Sequence, residues 1–415
     1  MRTRNLLIPA FLFFLPMIAR LVWSPIDSES ASYTFQSLDG GFLTGKVAVG
    51  LAFLLLAPFL LYIKRPIQML GIFPLILYGF AAASLAWTYD IGTTVYTLTL
   101  LTCVFGYALA MNALWGTERT LLVLWLFASA VIAVSIGLAL LDNQYALMAG
   151  LHQGAWRGLF AHKNAFGPFL VAHIFLTIFG RSYIRLPLVI ALLIAAVDVY
   201  ALVYTRSGTA VVAAVAGLAA GMVFIPIRHS GLRFLWRLGA ALVLLASLSV
   251  VVFNVDQVFD LLGRDSTLTG RAQLWEQAYS MVSDHRLGTG YGTSGGSQVS
   301  IELQKITKRH DSLGVQSGYL NMALELGWIA VGIFVFWLVS AIATSFFSVR
   351  ASPAQALFVA LAVQHLVGSY SESFGCLFPS WSLTLLVTAL IAMRGSVGIR
   401  WRSTRRSRKT VAAPA

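Results

Sequence analysis

The sequence predicts an all-α, polytopic integral membrane protein with about twelve transmembrane helices and one long outer loop. Of its 415 residues, 58% are hydrophobic and only 11% are charged, and the mean hydropathy is +0.79. These values lie far from those of soluble domains. Apolar runs long enough to cross a bilayer recur along the chain, since each crossing needs about 20 residues. Most of the remaining polar residues fall in a few loops.

Twelve apolar segments meet the length requirement. They lie at about 5–23, 46–63, 67–87, 93–113, 120–141, 165–180, 186–204, 209–226, 238–254, 327–348, 354–371 and 377–393. The first follows Arg2 and Arg4, as in a signal peptide, but no small-residue cleavage site comes after it. We therefore expect this segment to be retained as a membrane span.

The distribution of lysine and arginine predicts the orientation. When the N-terminus is placed in the cytoplasm, only one of the 16 acidic residues, Glu118, falls on the cytoplasmic side. That side then holds most of the cations: Arg2, Arg4, Lys64, Arg65, Arg119, Arg181, Arg185, Arg228, Arg233, Arg237, Arg350 and those from Arg394 to Lys409. By the positive-inside rule, both termini are cytoplasmic, and residues 142–164 and 255–326 face outward.

Four regions follow from this topology. Residues 1–254 hold spans one to nine, 255–326 form the large outer loop, 327–393 hold spans ten to twelve, and 394–415 form a basic cytoplasmic tail. The net charge of +13 is explained by this tail and by the inner loops, which attract anionic lipid. We therefore expect no nucleic-acid partner.

Several classes of chemistry lack their sequence signals. Cys103 and Cys376 are the only cysteines, and they provide neither a disulfide framework nor a metal site. The chain contains no Walker-type phosphate loop, zinc-ligand spacing or nucleophile elbow. These observations disfavour an ATP-driven pump and predict that no metal or cofactor is needed.

Four outward-facing segments combine cations with glycine or hydroxyl residues: 157–164, 205–209, 263–275 and 308–327. Guanidinium groups bind phosphate oxygens in pairs, and small neighbours let a backbone approach an anion. The candidate anion-binding residues are Arg157, Arg206, Arg264 and Arg271. The alternative is that these cations only reach toward lipid headgroups.

Polar residues within the spans form a second group of candidates. Asp198 lies about two turns before Arg206 on the seventh span, so we expect it to orient Arg206, with a role in transport as the alternative. His173 and His365 have no acid nearby in sequence and are expected to form hydrogen bonds between helices. Glu372, at the outer end of the eleventh span, is a weaker candidate for the same cavity.

The motifs occur in the order found in the O-antigen ligase/polymerase superfamily, and the chain most resembles its Wzy-type exopolysaccharide polymerases. The resemblance extends over the whole chain. It is carried by Gly158, Phe160, His162, Lys163, Asn164 and Gly167, by Thr205-Arg206-Ser207-Gly208, by Thr267, Thr269, Gly270, Arg271, Leu274 and Trp275, and by Gly288, Gly290, Tyr291 and Gly292.

This resemblance implies a GT-C-like glycosyltransferase of the bacterial inner membrane whose active site faces the periplasm. Such an enzyme, working without metal, moves a glycan from a polyprenyl-pyrophosphate-linked oligosaccharide to an acceptor glycan. A chain-length regulator is a candidate partner. The outer arginines would bind the pyrophosphate, with Lys163, Asn164 and Asp198 in support, and a loop histidine would activate the acceptor hydroxyl.

One position departs from the family pattern. Where the family has its histidine, eleven residues before Gly327, this chain has Gln316, which cannot accept the proton. The catalytic base is therefore expected to be His310, six residues earlier, with a carboxylate or loss of activity as the alternatives. Three other functions also stay open, namely an O-antigen ligase acting on a lipid A-core acceptor, a flippase or exporter of lipid-linked sugars, and a non-catalytic assembly protein.

Overall fold

The computed structural model describes residues 42–61, 63, 65–149, 152–225, 232, 235–239, 271–295, 315–348, 352–372 and 375–409. This part of the chain is about 80% helical and contains no strand, which confirms the all-α prediction. Its β-type pairing is the isolated bridge between Leu147 and Trp156. The predicted spans at 5–23 and, apart from its first two residues, 238–254 lie outside the described residues.

Thirteen α-helices are bounded within these ranges. They are α1 (Phe42–Leu60), α2 (Pro66–Leu70), α3 (Ile72–Ala83), α4 (Ile91–Trp115), α5 (Thr117–Leu140), α6 (Lys163–Phe179), α7 (Arg181–Ile184), α8 (Leu188–Thr205), α9 (Gly208–Val223), α10 (Arg271–Asp284), α11 (Gly318–Phe347), α12 (Pro353–Ser371) and α13 (Trp381–Lys409). Short 3-10 turns follow α3 at Ser84–Ala86 and α10 at Thr293–Gly295.

Four of these helices, α4, α5, α8 and α11, are long and apolar enough to cross a membrane. Five shorter apolar stretches accompany them, namely Val47–Leu60, Ile72–Ala86, Lys163–Phe179, Gly208–Val223 and Trp381–Gly395. The chain is therefore a membrane protein, whereas the count of twelve spans stays a prediction. Helix α13 continues to Lys409, so residues 394–409 of the predicted tail are helical.

Local sequence signals explain where several helices begin. The Asp90 carboxylate accepts a hydrogen bond from the Thr93 amide at 3.0 Å and so caps α4. Ser352 and Gln355 form a reciprocal capping box at the start of α12, where Pro353 is the first helical residue. Gly116, with a φ of 79°, separates α4 from α5. These residues place the helix ends within a few positions of the predicted spans.

Helix α11 begins well before its predicted span. It begins at Gly318 instead of 327, and it bends at Gly327, where φ is 76° and ψ is 168°. A Cβ atom at Gly327 would overlap the Arg286 carbonyl. The extra turns carry Asn321 and Glu325, whose polarity made this stretch resemble a loop. Asn321 is nevertheless buried, and the Glu325 carboxylate is hydrogen-bonded to the Ser294 hydroxyl.

Small residues allow the helices at the centre of the bundle to pack closely. A Cβ atom at Gly217 of α9 would overlap the Phe175 ring of α6 and come within 2.9 Å of the Ala360 carbonyl of α12. One turn later, Gly221 lies equally close to Phe179. Small residues commonly bring membrane helices into van der Waals contact in this way. The contact aligns the beginning of α9 with the end of α12, and the candidate site lies there.

Candidate functional site

The turn between α8 and α9 presents Arg206 in a constrained backbone conformation. Arg206 follows the last residue of α8 and has left-handed dihedral angles, φ 50° and ψ 34°. Its guanidinium is exposed and donates to the Gln153 carbonyl at 3.4 Å. Non-glycine residues in this region cost energy and often occur at functional sites. The structure therefore agrees with the predicted short turn bearing an arginine.

The segment before α6 places Arg157 close to this turn. The Trp156 amide donates to the Tyr204 carbonyl at 3.0 Å, and the two aromatic rings stack with centroids 4.7 Å apart. Arg157 itself is 8% exposed, and its Nε donates to the Tyr145 carbonyl at 3.1 Å. Burial lowers the pKa of this guanidinium. Since carbonyl acceptors do not neutralise its charge, the site suits an anion.

The first turn of α6 is hydrogen-bonded to the Arg206 turn. Lys163 is 4% exposed, and its Nζ donates to the Arg206 carbonyl at 3.0 Å. His162 caps the helix, because its Nδ1 accepts from the Asn164 amide at 3.1 Å. Burial, and secondarily the charge of Lys163, lowers the pKa of His162 to about 3. The imidazole is thus neutral near pH 7, as its role as a hydrogen-bond acceptor requires.

Close packing requires two glycines of the 157–167 motif. Gly158 has a φ of 57°, and a Cβ atom there would overlap the Ser135 side chain of α5. At Gly167, a Cβ atom would come within 2.8 Å of Ala210 and 3.2 Å of Ser207. This motif therefore carries cations before and at the start of α6, and its last glycine allows the close contact between α6 and α9.

The glycine-rich segment 288–292 is hydrogen-bonded to helix α11 and to the start of the α13 region. The Thr289 and Gly290 amides donate to the carbonyls of Leu324 and Glu325, at 2.8 and 3.0 Å. The hydroxyl of the buried Tyr291 donates to the Leu377 carbonyl at 2.7 Å. Gly290 has a φ of 113° and lies against Thr88. This motif is accordingly structural, and it holds Glu325 in a closed hydrogen-bonded environment.

Helix α10 fixes the segment that contains Gln316. The indole N–H of Trp275 donates to the Val315 carbonyl at 2.8 Å, and its ring meets Tyr370 edge-on at 5.6 Å. Gln316 follows with a left-handed φ of 50°, and Ser317 then caps α11. Arg271 begins α10 one turn before Trp275. The backbone of Arg271 therefore lies one turn from the residue that anchors the Gln316 segment.

The last turn of α12 connects these motifs to one another, and the sequence reasoning missed it apart from Glu372. The Ser371 hydroxyl lies 2.7 Å from the Thr209 hydroxyl of α9. The Ser317 hydroxyl donates to the Ser369 carbonyl at 3.3 Å. Residues 369–372, together with Tyr370 against Trp275, thus contact α9, α11 and α10. We call residues 369–372 the α12 terminus.

A cleft opens beside the α12 terminus, between α6, α9, α12 and the start of α13. It is lined by Phe160, Ala165, Pro168, Phe169, Thr209, Ala210, Ala213, Gln364, His365, Gly368, Ser369, Glu372, Gly375, Phe378, Ser380, Trp381 and Ser382. Thr209 and Ala165 belong to the first turns of α9 and α6, directly beside Arg206 and Lys163. The cleft therefore begins within three residues of these two cations along the chain.

The prediction that Asp198 orients Arg206 is wrong. Asp198 is buried, and its carboxylate lies 2.7 Å from Nδ1 of His173 on α6. Nε2 of His173 lies 3.0 Å from the Ser129 hydroxyl of α5. The three side chains join α5, α6 and α8, so Asp198 supports the packing of helices. His365 similarly joins α12 to α13 through the Ser382 hydroxyl at 2.9 Å, as expected for both histidines.

The predicted site residues thus fall into two groups. The structure brings together Arg157, Lys163, Asn164 and Arg206, and it links them through the α12 terminus to the backbone around Gln316. His310 and Arg264 lie outside the described residues, and so does the side chain of Arg271. Within the described ranges, no group of three or more histidine, cysteine or acidic side chains could hold a metal ion.

Comparison with known proteins finds one matching family model. Residues 190–335 match the family model described as O-antigen ligase. This range begins in α8, includes the Arg206 turn and the 263–275 and 288–292 motifs, and ends within α11. No curated protein matches the chain. This match is consistent with the O-antigen ligase/polymerase superfamily that the motifs resemble.

Proposed function

We propose that this protein is a polysaccharide polymerase of the bacterial inner membrane. It would transfer a glycan from a polyprenyl-pyrophosphate-linked oligosaccharide to an acceptor glycan on the periplasmic side. The observation that carries the proposal is a series of hydrogen bonds that connects the Arg157 segment and Lys163 to the Arg206 turn, and α9 and the Gln316 segment to the α12 terminus. Members of the matched family are glycosyltransferase-like enzymes involved in polysaccharide biosynthesis.

The chemistry of such a transfer fits these residues. The acceptor hydroxyl attacks the anomeric carbon, the bond from that carbon to the pyrophosphate oxygen breaks, and polyprenyl pyrophosphate leaves with the bonding electrons. Negative charge on the leaving group rises as this bond breaks, and fixed guanidinium groups stabilise it. We assign this role to Arg157 and Arg206, together with Arg264 and Arg271. The same cations make a divalent metal unnecessary.

The acceptor proton needs a base, and we propose His310. An imidazole titrates near neutral pH, as this step requires. Glu325 is a poor alternative, because its carboxylate accepts a hydrogen bond from Ser294 and lies behind the glycine-rich segment. Gln316 is half-buried in a left-handed conformation, and we propose that it positions the acceptor. Glu372, in the cleft, is the next candidate base.

The proposed reaction can be tested with the full-length protein in liposomes. We expect it to lengthen a polyprenyl-pyrophosphate-linked oligosaccharide and to release polyprenyl pyrophosphate, with the rate unchanged in excess chelator. Product length is measured by gel electrophoresis and released lipid by mass spectrometry. Translocation of the donor without any transfer would support a flippase instead. Loss of turnover on chelation, restored by magnesium, would contradict the metal-free mechanism.

The assignment of the base has its own test. We expect His310→Ala to reduce transfer at least about 100-fold while donor binding persists, since the cations remain. Gln316→Ala should reduce transfer less than about tenfold, because a positioning side chain contributes less than the base. Initial rates and donor affinity are measured for both variants. Undiminished transfer by His310→Ala would remove His310 from the mechanism, and Glu372→Gln would then be the informative variant.

The description of the matched family favours a second candidate, an O-antigen ligase. A ligase would use the same donor and the same cations but would transfer the glycan to a lipid A-core acceptor. The liposome assay separates the two functions when both acceptors are supplied. A polymerase extends the lipid-linked glycan, whereas a ligase labels lipid A-core.

A further inference from the structure

Two residues that line the cleft carry a buried hydrogen-bond acceptor and a buried donor without partners among the described residues. Gln364 is 4% exposed, and Trp381 is 1% exposed. Oε1 of Gln364 and Nε1 of Trp381 are both buried and have no hydrogen-bond partner in the described structure. Buried polar atoms of this kind are uncommon in proteins, because each costs about 1–3 kcal/mol.

The surrounding contacts hold both side chains against the same turn of α6. The amide nitrogen of Gln364 donates to the Pro168 carbonyl at 2.8 Å, which determines the orientation of the amide and leaves Oε1 as the free acceptor. The Trp381 ring packs against Phe169, the next residue, with centroids 4.6 Å apart. The two side chains therefore contact residues 168 and 169, and both line the cleft.

One part of the cleft lies nearer the cations than the other. Glu372 and Thr209 lie at its outer part, next to the Arg206 turn, whereas Gln364 lies eight residues before Glu372 along α12. At a helical rise of 1.5 Å per residue, this separation is about 12 Å. A group attached to a pyrophosphate bound at Arg206 could therefore extend into the cleft.

The residues that line the cleft indicate which part of a lipid-linked donor it would bind, the sugar or the prenyl tail. A prenyl chain would fill the aromatic walls but would leave the Gln364 oxygen and the Trp381 N–H unpaired and would cover the 8%-exposed Glu372 carboxylate. A sugar ring instead presents hydroxyl or acetamido groups that both donate and accept hydrogen bonds. Its C–H faces also pack on rings such as Phe169 and Phe160.

We propose that this cleft binds the sugar next to the pyrophosphate of the donor, through Gln364, Trp381 and Glu372. The inference rests on the proposed function for the identity of the donor. It adds a subsite that recognises an uncharged sugar and is separate from the cations that bind the pyrophosphate. The subsite would let the protein distinguish lipid-linked donors by their first sugar.

The substitution Trp381→Phe tests this subsite, because it removes the N–H and keeps an aromatic ring. Trp337 offers a matched control, since its Nε1 is also buried without a partner in the described structure and it does not line the cleft. Both indoles are buried, so each substitution leaves a small cavity and should lower stability by a similar, modest amount, partly offset by removal of the unpaired N–H. Thermal unfolding of the detergent-solubilised proteins verifies this condition.

The ligands are polyprenyl pyrophosphate carrying one hexose, the same lipid carrying one N-acetylhexosamine, and the sugar-free lipid. We expect Trp381→Phe to weaken binding of at least one sugar-bearing lipid by about 3- to 10-fold, the effect of one hydrogen bond. Trp337→Phe should bind all three as the wild type does, and the sugar-free lipid should bind equally to all proteins. Equal binding of both sugar-bearing lipids to Trp381→Phe and Trp337→Phe would overturn the proposal. An equal loss for the sugar-free lipid would assign the cleft to the prenyl tail.

Direct binding separates this proposal from the proposed function. If the wild type binds the sugar-bearing lipids but does not transfer, the polymerase assignment fails while the comparison between variants still decides the subsite. If the wild type transfers and the variants bind alike, only the subsite fails.

Discussion

Arg206→Gly is expected to reduce glycan transfer by at least about 100-fold without destabilising the protein. Glycine adopts the left-handed conformation of this turn without strain, so the free energy of unfolding should stay equal or rise by up to about 1 kcal/mol. The carbonyl that accepts from Lys163 belongs to the backbone and is retained. What the substitution removes is the guanidinium, and losing one transition-state donor typically costs 100- to 1,000-fold in rate.

Arg185 provides a matched control at another turn. It has nearly the same dihedral angles, φ 56° and ψ 39°, and it is exposed, but its guanidinium lies 3.4 Å from Glu118. We therefore expect Arg185→Gly to transfer glycan at the wild-type rate. Initial rates are compared at equal membrane abundance, with Arg206→Lys as a third variant that keeps the charge and loses the planar fork. Wild-type transfer by Arg206→Gly would remove this residue from donor binding.

The parts of the site that the sequence predicts are those specified by short-range signals. The Arg206 turn follows from a polar break between two apolar runs, and α6 begins at Lys163, two residues before the start of the apolar run at 165. Such signals act within a few residues, because helix capping and turn formation are local. The all-α architecture was predictable for the same reason, from the lengths of the apolar runs.

The convergence at the α12 terminus could not be predicted in this way. Thr209 and Ser371 are 162 positions apart, and neither stands out from the other hydroxyl residues of the chain. The pair formed by Trp275 and Val315 spans 40 positions and crosses residues that the sequence assigns to a loop. Contacts of this kind depend on how helices pack, and a single sequence carries no signal for that packing.

Asp198 shows how periodicity can mislead. Its spacing from Arg206 predicts that both share a helix face, but spacing describes neighbours on one helix only, and Arg206 lies just beyond the end of α8. The partner that lies closer is His173, 25 residues earlier on α6, which the sequence presents as a histidine without an acid. Within a membrane, polar residues pair across helices because lipid offers them no partner.

The His173–Asp198 pair should contribute more to stability than an ordinary hydrogen bond between membrane helices. Both side chains are almost fully buried, and the 2.7 Å separation is typical of a charge-assisted contact. Neutral hydrogen bonds between membrane helices average about 0.6 kcal/mol and reach about 1.7 kcal/mol, whereas removing one partner of a buried charged pair costs about 3–5 kcal/mol. We therefore expect Asp198→Ala and His173→Ala each to lower the free energy of unfolding by about 3 kcal/mol.

A double-mutant cycle distinguishes a buried charged pair from a neutral hydrogen bond between membrane helices. The double alanine variant should be less destabilised than the sum of the single variants, with a coupling energy above about 1.7 kcal/mol. Tyr107→Phe, which removes a buried hydrogen bond of 2.8 Å to the Ala52 carbonyl, serves as the neutral reference and should cost about 1 kcal/mol. Unfolding is measured in mixed micelles by denaturant titration. A coupling energy near 0.6 kcal/mol, about the average for neutral hydrogen bonds between membrane helices, would show that the pair is not charged.

Asp198→Asn should transfer glycan at the wild-type rate, because Asp198 pairs with His173 and not with the donor-binding Arg206. Loss of transfer in an Asp198→Asn protein that remains stable would contradict this structural role.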